Sequence, residues 1–99
     1  MRKSKKLTPT QELLEFLSEF DDPKPLYPTG HEDAIVGVVE RFGQPTVLLL
    51  DKERILCKLM KDGMNREEAE EFFSFNISGA WVGEGTPAYV TFTKNIIGR

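Results

Sequence analysis

Met64–Pro87 reads MNREEAEEFFSFNISGAWVGEGTP, a capped amphipathic helix running straight into a glycine-rich loop. Asn65 opens the helix and Glu68, three residues on, completes a near-relative of the capping box. Glu67, Glu68, Glu70 and Glu71 stand where the helix dipole favours negative charge. Ala69, Phe72, Phe73, Asn76 and Ile77 recur at helical spacing and are expected to share the inner face, with the helix stopping near Ser78 at Gly79. Ala80-Trp81-Val82 and Ala88-Tyr89-Val90-Thr91-Phe92 then read as short strands around a Gly83–Pro87 turn.

Upstream, Lys52–Asp62 forms the partner helix. Asp51 is placed as its N-cap, and Ile55, Leu56, Leu59 and Met60 form one stripe with Lys52, Lys58 and Lys61 largely on the other side. Gly63 supplies a left-handed C-cap between the two helices. Before them, Ile35, Val36, Val38 and Val39 place four β-branched residues in five positions, and Gly43-Gln44-Pro45 separates this run from Thr46-Val47-Leu48-Leu49-Leu50. Ile35, Val39 and Phe42 also fit a helical stripe, but Gly37 and the β-branching favour a β-hairpin. The second run is apolar on both faces of a strand, which predicts a central or covered position in the sheet.

Nearest the N-terminus, Thr8-Pro9-Thr10-Gln11 has the capping-box form with proline at the first helical position, and Leu13, Leu14, Leu17 and Phe20 follow at helical spacing. Asp21-Asp22-Pro23 ends this helix. Pro23–Gly30 holds three of the six prolines and reads as an extended strap. It either wraps the domain or offers a docking strip; wrapping is favoured because Leu26 and Tyr27 can pack on the core. The predicted architecture is α+β: a small, mainly antiparallel sheet of the hairpin and C-terminal strands, covered by the helix pair. Residues 1–8 form a basic flexible leader, and residues 9–99 one domain with a helix over 9–20, a proline-rich strap over 23–30 and a core over 31–93.

At 99 residues the chain is large enough for one modest core. No apolar run approaches the roughly 20 residues of a membrane span, and no apolar segment follows the basic start, so no membrane contact and a cytoplasmic location are expected. The single cysteine, Cys57, cannot form an internal disulfide, which fits a reducing compartment. Arg2, Lys3, Lys5 and Lys6 take four of the 13 basic residues, leaving nine against 16 acids, or about −7 over residues 7–99. An acidic body disfavours duplex nucleic acid and favours partners with basic surfaces. The leader reads as a solvated tail, with contact to nucleic acid or an anionic surface as the alternative.

Few side chains assemble into recognisable chemistry. His31-Glu32-Asp33 sets an imidazole beside two carboxylates, but no second histidine or spaced cysteine completes a ligand set, and the plainer reading is a histidine bonded to nearby backbone. Gly83-Glu84-Gly85 lacks the lysine of a phosphate-binding loop and reads as a tight turn needing positive φ. Cys57 has no adjacent base and is read as a semi-buried filler. No catalytic residue, cofactor or metal is assigned. Asn76, on the expected inner face, must find hydrogen bonds and is predicted to clamp the Gly79–Gly85 loop. Trp81 and Tyr89 supply amphipathic aromatic area; burial is the default for Trp81, and the alternative is a groove flanked by Phe75 and Tyr27. The predicted binding surface is Phe75, Asn76, Trp81, Gly83, Glu84, Gly85 and Tyr89.

The run REEAEEFFSFNISGAWVGEGTP over Arg66–Pro87, with EDAIVGVVERFGQP upstream and the helix after LLLDKER, resembles a family of small uncharacterised proteins encoded by bacteriophages and prophages. The resemblance covers about Glu32 to Pro87, and FN-x-x-GAWVGEGTP is a fairly specific tail. It implies a non-virion accessory protein in the cytoplasm of an infected bacterium and brings no activity with it. Met1–Gly30 lies outside it. Three functions from different classes remain, and a non-enzymatic interaction module docking on a host or phage protein with a basic surface is favoured. A binder of nucleotide-like ligands that counters host defence signalling comes next, and an enzyme last. The strongly apolar second strand and aromatic-rich helix also raise a two-fold homodimer.

Overall fold

The computed structural model describes residues 9–19, 25–80 and 83–97. In chain order they form α1 (Pro9–Leu17), a 3-10 turn (Glu32–Ala34), β1 (Ile35–Val39), β2 (Val47–Asp51), α2 (Lys52–Lys61), α3 (Arg66–Phe72), a π turn (Phe73–Ile77), β3 (Ala88–Val90) and α4 (Thr93–Ile97). This is the predicted α+β class.

The β-branched run and the leucine run pair as the expected antiparallel hairpin, with Ile35 opposite Leu50 and Val39 opposite Val47 and a bulge between Ile35 and Gly37. β2 is the central strand of the order β1-β2-β3. Its Leu48 and Leu50 are fully buried and meet Ile55, Leu56 and Leu59 of α2 and Ala69, Phe73 and Ile77 in one cluster. Each fully buried leucine contributes about 2 kcal/mol of transfer free energy.

The sheet is mixed, which corrects the mainly antiparallel expectation. β3 lies beside β2 in parallel, with Leu49 opposite Ala88 and Asp51 opposite Val90. The expected antiparallel neighbour of β3 lay just across the Gly83–Pro87 turn, but Ala80 is in no strand, and Trp81 and Val82 fall outside the described residues. The chain instead returns through all of residues 52–87, a helical crossover of the kind that parallel pairing requires. β3 also ends at Val90; Thr91 and Phe92 lead into α4, a helix the sequence reading did not place.

Local chemistry fixes the joints. Asp51 is buried yet satisfied, because its Oδ1 accepts the Glu53 N–H at 3.0 Å and its Oδ2 lies 3.6 Å from Arg54. That is the predicted N-cap of α2. Gly63 takes φ +116°, the left-handed geometry that a side chain resists, and lets the chain turn from α2 into α3. In the strap, Pro25 is buried and Tyr27 packs on the core while Leu26 is exposed. The expectation that Leu26 packs inward fails because neighbouring residues of extended chain point to opposite sides. Leu26 serves through its backbone instead, donating its N–H to Gly85 O at 3.0 Å. At the strap's end the Lys58 ammonium donates to the carbonyl of Gly30. α1 ends at Leu17, short of the predicted 9–20; Phe20 lies outside the described residues.

Candidate functional site

α3 begins with a complete capping box: the Glu68 N–H donates to Asn65 Oδ1 at 2.8 Å, and the Asn65 N–H donates to Glu68 Oε1 at 2.9 Å. Arg66 ties this end to α2 through two hydrogen bonds to Glu53, at 2.7 and 3.0 Å, and reaches Glu70 at 3.2 Å. Those bonds hold the Arg66 guanidinium more firmly protonated than usual, first through Glu53 and then through Glu70. The hydrogen bond from Arg66 also draws the Glu53 carboxyl below its ordinary range, against some opposition from burial.

Past Phe72 the helix changes pitch. The Ser78 N–H donates to Phe73 O at 2.8 Å, closing a five-residue π turn that advances each residue by a smaller angle than an α-helix. Phe73 and Ile77 stay buried, but Asn76 swings out of the inner face and Phe75 is 77% exposed. Phe72, on the flank of the buried stripe, is 37% exposed. The predicted inner face of Ala69, Phe72, Phe73, Asn76 and Ile77 therefore shrinks to Ala69, Phe73 and Ile77. Gly79 completes the turn: a Cβ there would sit 2.5 Å from Ser74 O. Its role is close approach of backbone rather than positive φ.

The result is a groove of about 380 Å³ on the outer side of α3, lined by Met64, Glu68, Glu71, Phe72, Phe75 and Asn76. Glu68, Glu71, Phe72 and Phe75 recur at helical spacing, a second stripe opposite the core stripe. That signal was present in the sequence, although only Phe75 and Asn76 of the six were placed in the predicted binding surface. Asn76 also borders a smaller pocket of about 190 Å³ with Tyr27, Pro28, Ile77, Pro87 and Tyr89. Tyr89 is half-buried there, edge-on to Phe73 with ring centroids 5.1 Å apart, and burial pushes its hydroxyl pKa up. Lys52 stands over the other ring of this pair, 5.3 Å from the Phe73 centroid.

The other predicted surface residues part company. Trp81 lies outside the described residues. Gly83 adopts φ +112°, as the turn reading required, and Thr86 closes that turn by donating both its N–H and its hydroxyl to Gly83 O. Gly85 is buried under the strap. Glu84 is exposed and belongs to a different cleft, beside the hairpin loop. The predicted clamp by Asn76 is not made among the described residues: Asn76 is exposed, and the loop is held by its own turn and by Leu26. The change of helical pitch at Phe73 is what removed Asn76 from its expected place.

A wider cleft of about 840 Å³ runs along α2 toward Phe92 and Asn95. Its cations Arg54, Lys58, Lys61 and Lys94 are matched by Asp33, Asp51, Glu53 and Asp62. Arg54 donates to Asp33 O at 2.9 Å and Lys58 to Gly30 O, so both are engaged by the fold. Cys57 opens into this cleft and is exposed, which corrects the filler reading; its thiol donates to Glu53 Oε2 at 4.0 Å. His31 keeps Nδ1 buried without a hydrogen bond among the described residues, in place of the expected backbone bond. Burial first, and Lys58 second, lower its pKa. Among the described residues no group of three or more His, Cys, Asp and Glu is arranged to hold a metal ion, and no helix is long and apolar enough to cross a membrane.

Compared with models of protein families, with curated proteins and with solved structures, the chain matches none of them.

Proposed function

We propose that this protein is a non-enzymatic interaction module, an accessory protein of the kind the phage and prophage resemblance implies, which receives a basic amphipathic segment of a host or phage protein on the outer side of α3. The observation that carries the reading is the groove of Phe72 and Phe75 bordered by Glu68 and Glu71. Glu71 has no ion pair among the described residues, Glu68 gives one oxygen to the capping box, and Arg66 is already committed to Glu53 and Glu70. An apolar strip edged by two carboxylates, of which Glu71 is uncommitted, matches a helix that presents leucine-like anchors flanked by lysine or arginine. The wider cleft along α2 supports a nucleotide ligand less well, because its charges balance and two of its cations are engaged by backbone carbonyls.

The test is capture from host cells with the wild-type chain and with Phe72→Ser/Phe75→Ser as baits, combined with a thermal-shift screen against nucleotides. The reading expects a partner that cross-links to residues 64–76, is retained by wild type and is lost by the double variant. A nucleotide that raises the melting temperature, or capture indifferent to the substitutions, replaces it.

A further inference from the structure

The face of the sheet turned away from α2 and α3 is also apolar from the hairpin end as far as Leu49 and Ala88. The register sets Val39 beside Val47, and Gly37, Leu49 and Ala88 in one row, with Val90 one step further along β3 opposite Asp51, whose buried carboxylate is taken up by the start of α2. These positions alternate with Leu48 and Leu50, which point into the core. All of them but Asp51 keep partial exposure, so nothing among the described residues seals this face, and none of the others is charged. A cleft of about 380 Å³ opens at its edge, floored by Val39, Val47 and Ala88 and walled by Pro45, with Arg41 and Glu84 at its rim.

Beside the cleft stands Phe42, fully exposed at the tip of the hairpin. The turn that carries it is fixed: Gly43 takes φ +77° and the Gln44 N–H donates to Arg41 O at 3.0 Å. Phe42 is thus held away from its own molecule, next to a hollow of mixed lining, Val39, Val47 and Ala88 with Gln44 and Thr86, that is larger than a phenylalanine side chain. Arg41 and Glu84 are exposed, opposite in sign and without an ion pair among the described residues. A knob, a hollow, one cation and one anion on a single patch make that patch complementary to itself, which is the condition for a two-fold contact.

We propose that a second copy of this chain covers this face, each Phe42 entering the hollow of the other copy and each Arg41 meeting the other's Glu84. The contact is independent of the α3 groove, which stays open in the dimer. Three short strands and a hairpin tip offer less than the roughly 800 Å² per partner of a standard interface, so a weak, reversible dimer is expected.

Sedimentation velocity across low to high micromolar concentrations tests this. Wild type is expected to pass from monomer to dimer. Phe42→Ser should weaken association at least tenfold while leaving the melting temperature of the dilute monomer unchanged, since Phe42 is fully exposed in its own chain. Arg41→Glu and Glu84→Arg should each weaken it, and the double swap Arg41→Glu/Glu84→Arg should restore it. A wild-type chain that stays monomeric throughout overturns the proposal and leaves the face to another partner. A dimer indifferent to Phe42→Ser, or charge reversals that the swap does not rescue, overturns it as well.

Discussion

α2 and α3 are neighbouring amphipathic helices that differ in how they use the side turned away from the core. On α2 the polar groups are drawn into the fold: Arg54 and Lys58 reach carbonyls of the segment before β1, and Glu53 holds Arg66 of the next helix. On α3 the capping and pairing end with Glu70; beyond it stand Glu71, Phe72 and Phe75, whose side chains no described residue engages by a hydrogen bond or ion pair. The lesson is that amphipathicity alone does not mark a binding helix. The informative quantity is how many outward groups remain after the fold has taken its share.

The largest expected effect contrasts two phenylalanines of the π turn. Phe73→Ala should cost about 3–5 kcal/mol, because it empties a buried ring site against Tyr89 and leaves a cavity. Phe75→Ala, two residues on, should cost less than about 0.5 kcal/mol, as exposed substitutions do. Urea unfolding of both variants measures the difference. Equal losses would break the comparison, since Phe75 would then be packing and not surface.

The next effect probes what sets the two faces apart. Gly79→Ala places a methyl group against Ser74 O, and an overpacked backbone contact of this kind costs about 1–3 kcal/mol. Thermal or urea unfolding is the readout, and a neutral outcome would mean that the π turn relaxes easily and does not fix where Phe75 and Asn76 point.

Much of this was legible in the chain. Asp51, Asn65 with Glu68, Gly63 and the β-branched run each act locally, within a few residues, and the structure uses them as read. What was not legible depends on longer-range geometry. The parallel pairing of β3 is decided by where a long crossover delivers the chain, and nothing in Ala88-Tyr89-Val90 itself states a direction. The exposure of Asn76 comes from a local change of pitch that a fixed helical period cannot represent. Leu26 and Tyr27 look equally able to pack, and only the alternation of the docked strap separates them. For the binding surface, treating Asn76, Glu84 and Tyr89 as one site assumed that nearness along the loop meant nearness in space. Asn76 and Tyr89 do share a pocket, while Glu84 is carried to the hairpin side.

The smallest expected effect concerns the ionic tie between the two helices. Arg66 holds Glu53 by two hydrogen bonds and lowers its pKa. A carboxyl whose folded pKa lies below its unfolded value near 4.5 contributes stability above that value and loses it as the pH falls through the folded pKa. The Arg66 side chain is 51% exposed, so solvent screening limits the contribution to about 0.5–1 kcal/mol. Wild type should therefore lose stability relative to Glu53→Gln on titration from about pH 5 to pH 3, and moderate salt should reduce the gap. Urea midpoints at each pH resolve it. Because the substituted amide keeps a hydrogen-bonding oxygen but no charge, the difference isolates the ionic part of the tie. Parallel pH profiles would mean that α2 and α3 are joined by their buried stripes alone. The polar side of α2 would then be less committed to the fold than its geometry implies, and the contrast with the open side of α3 would narrow.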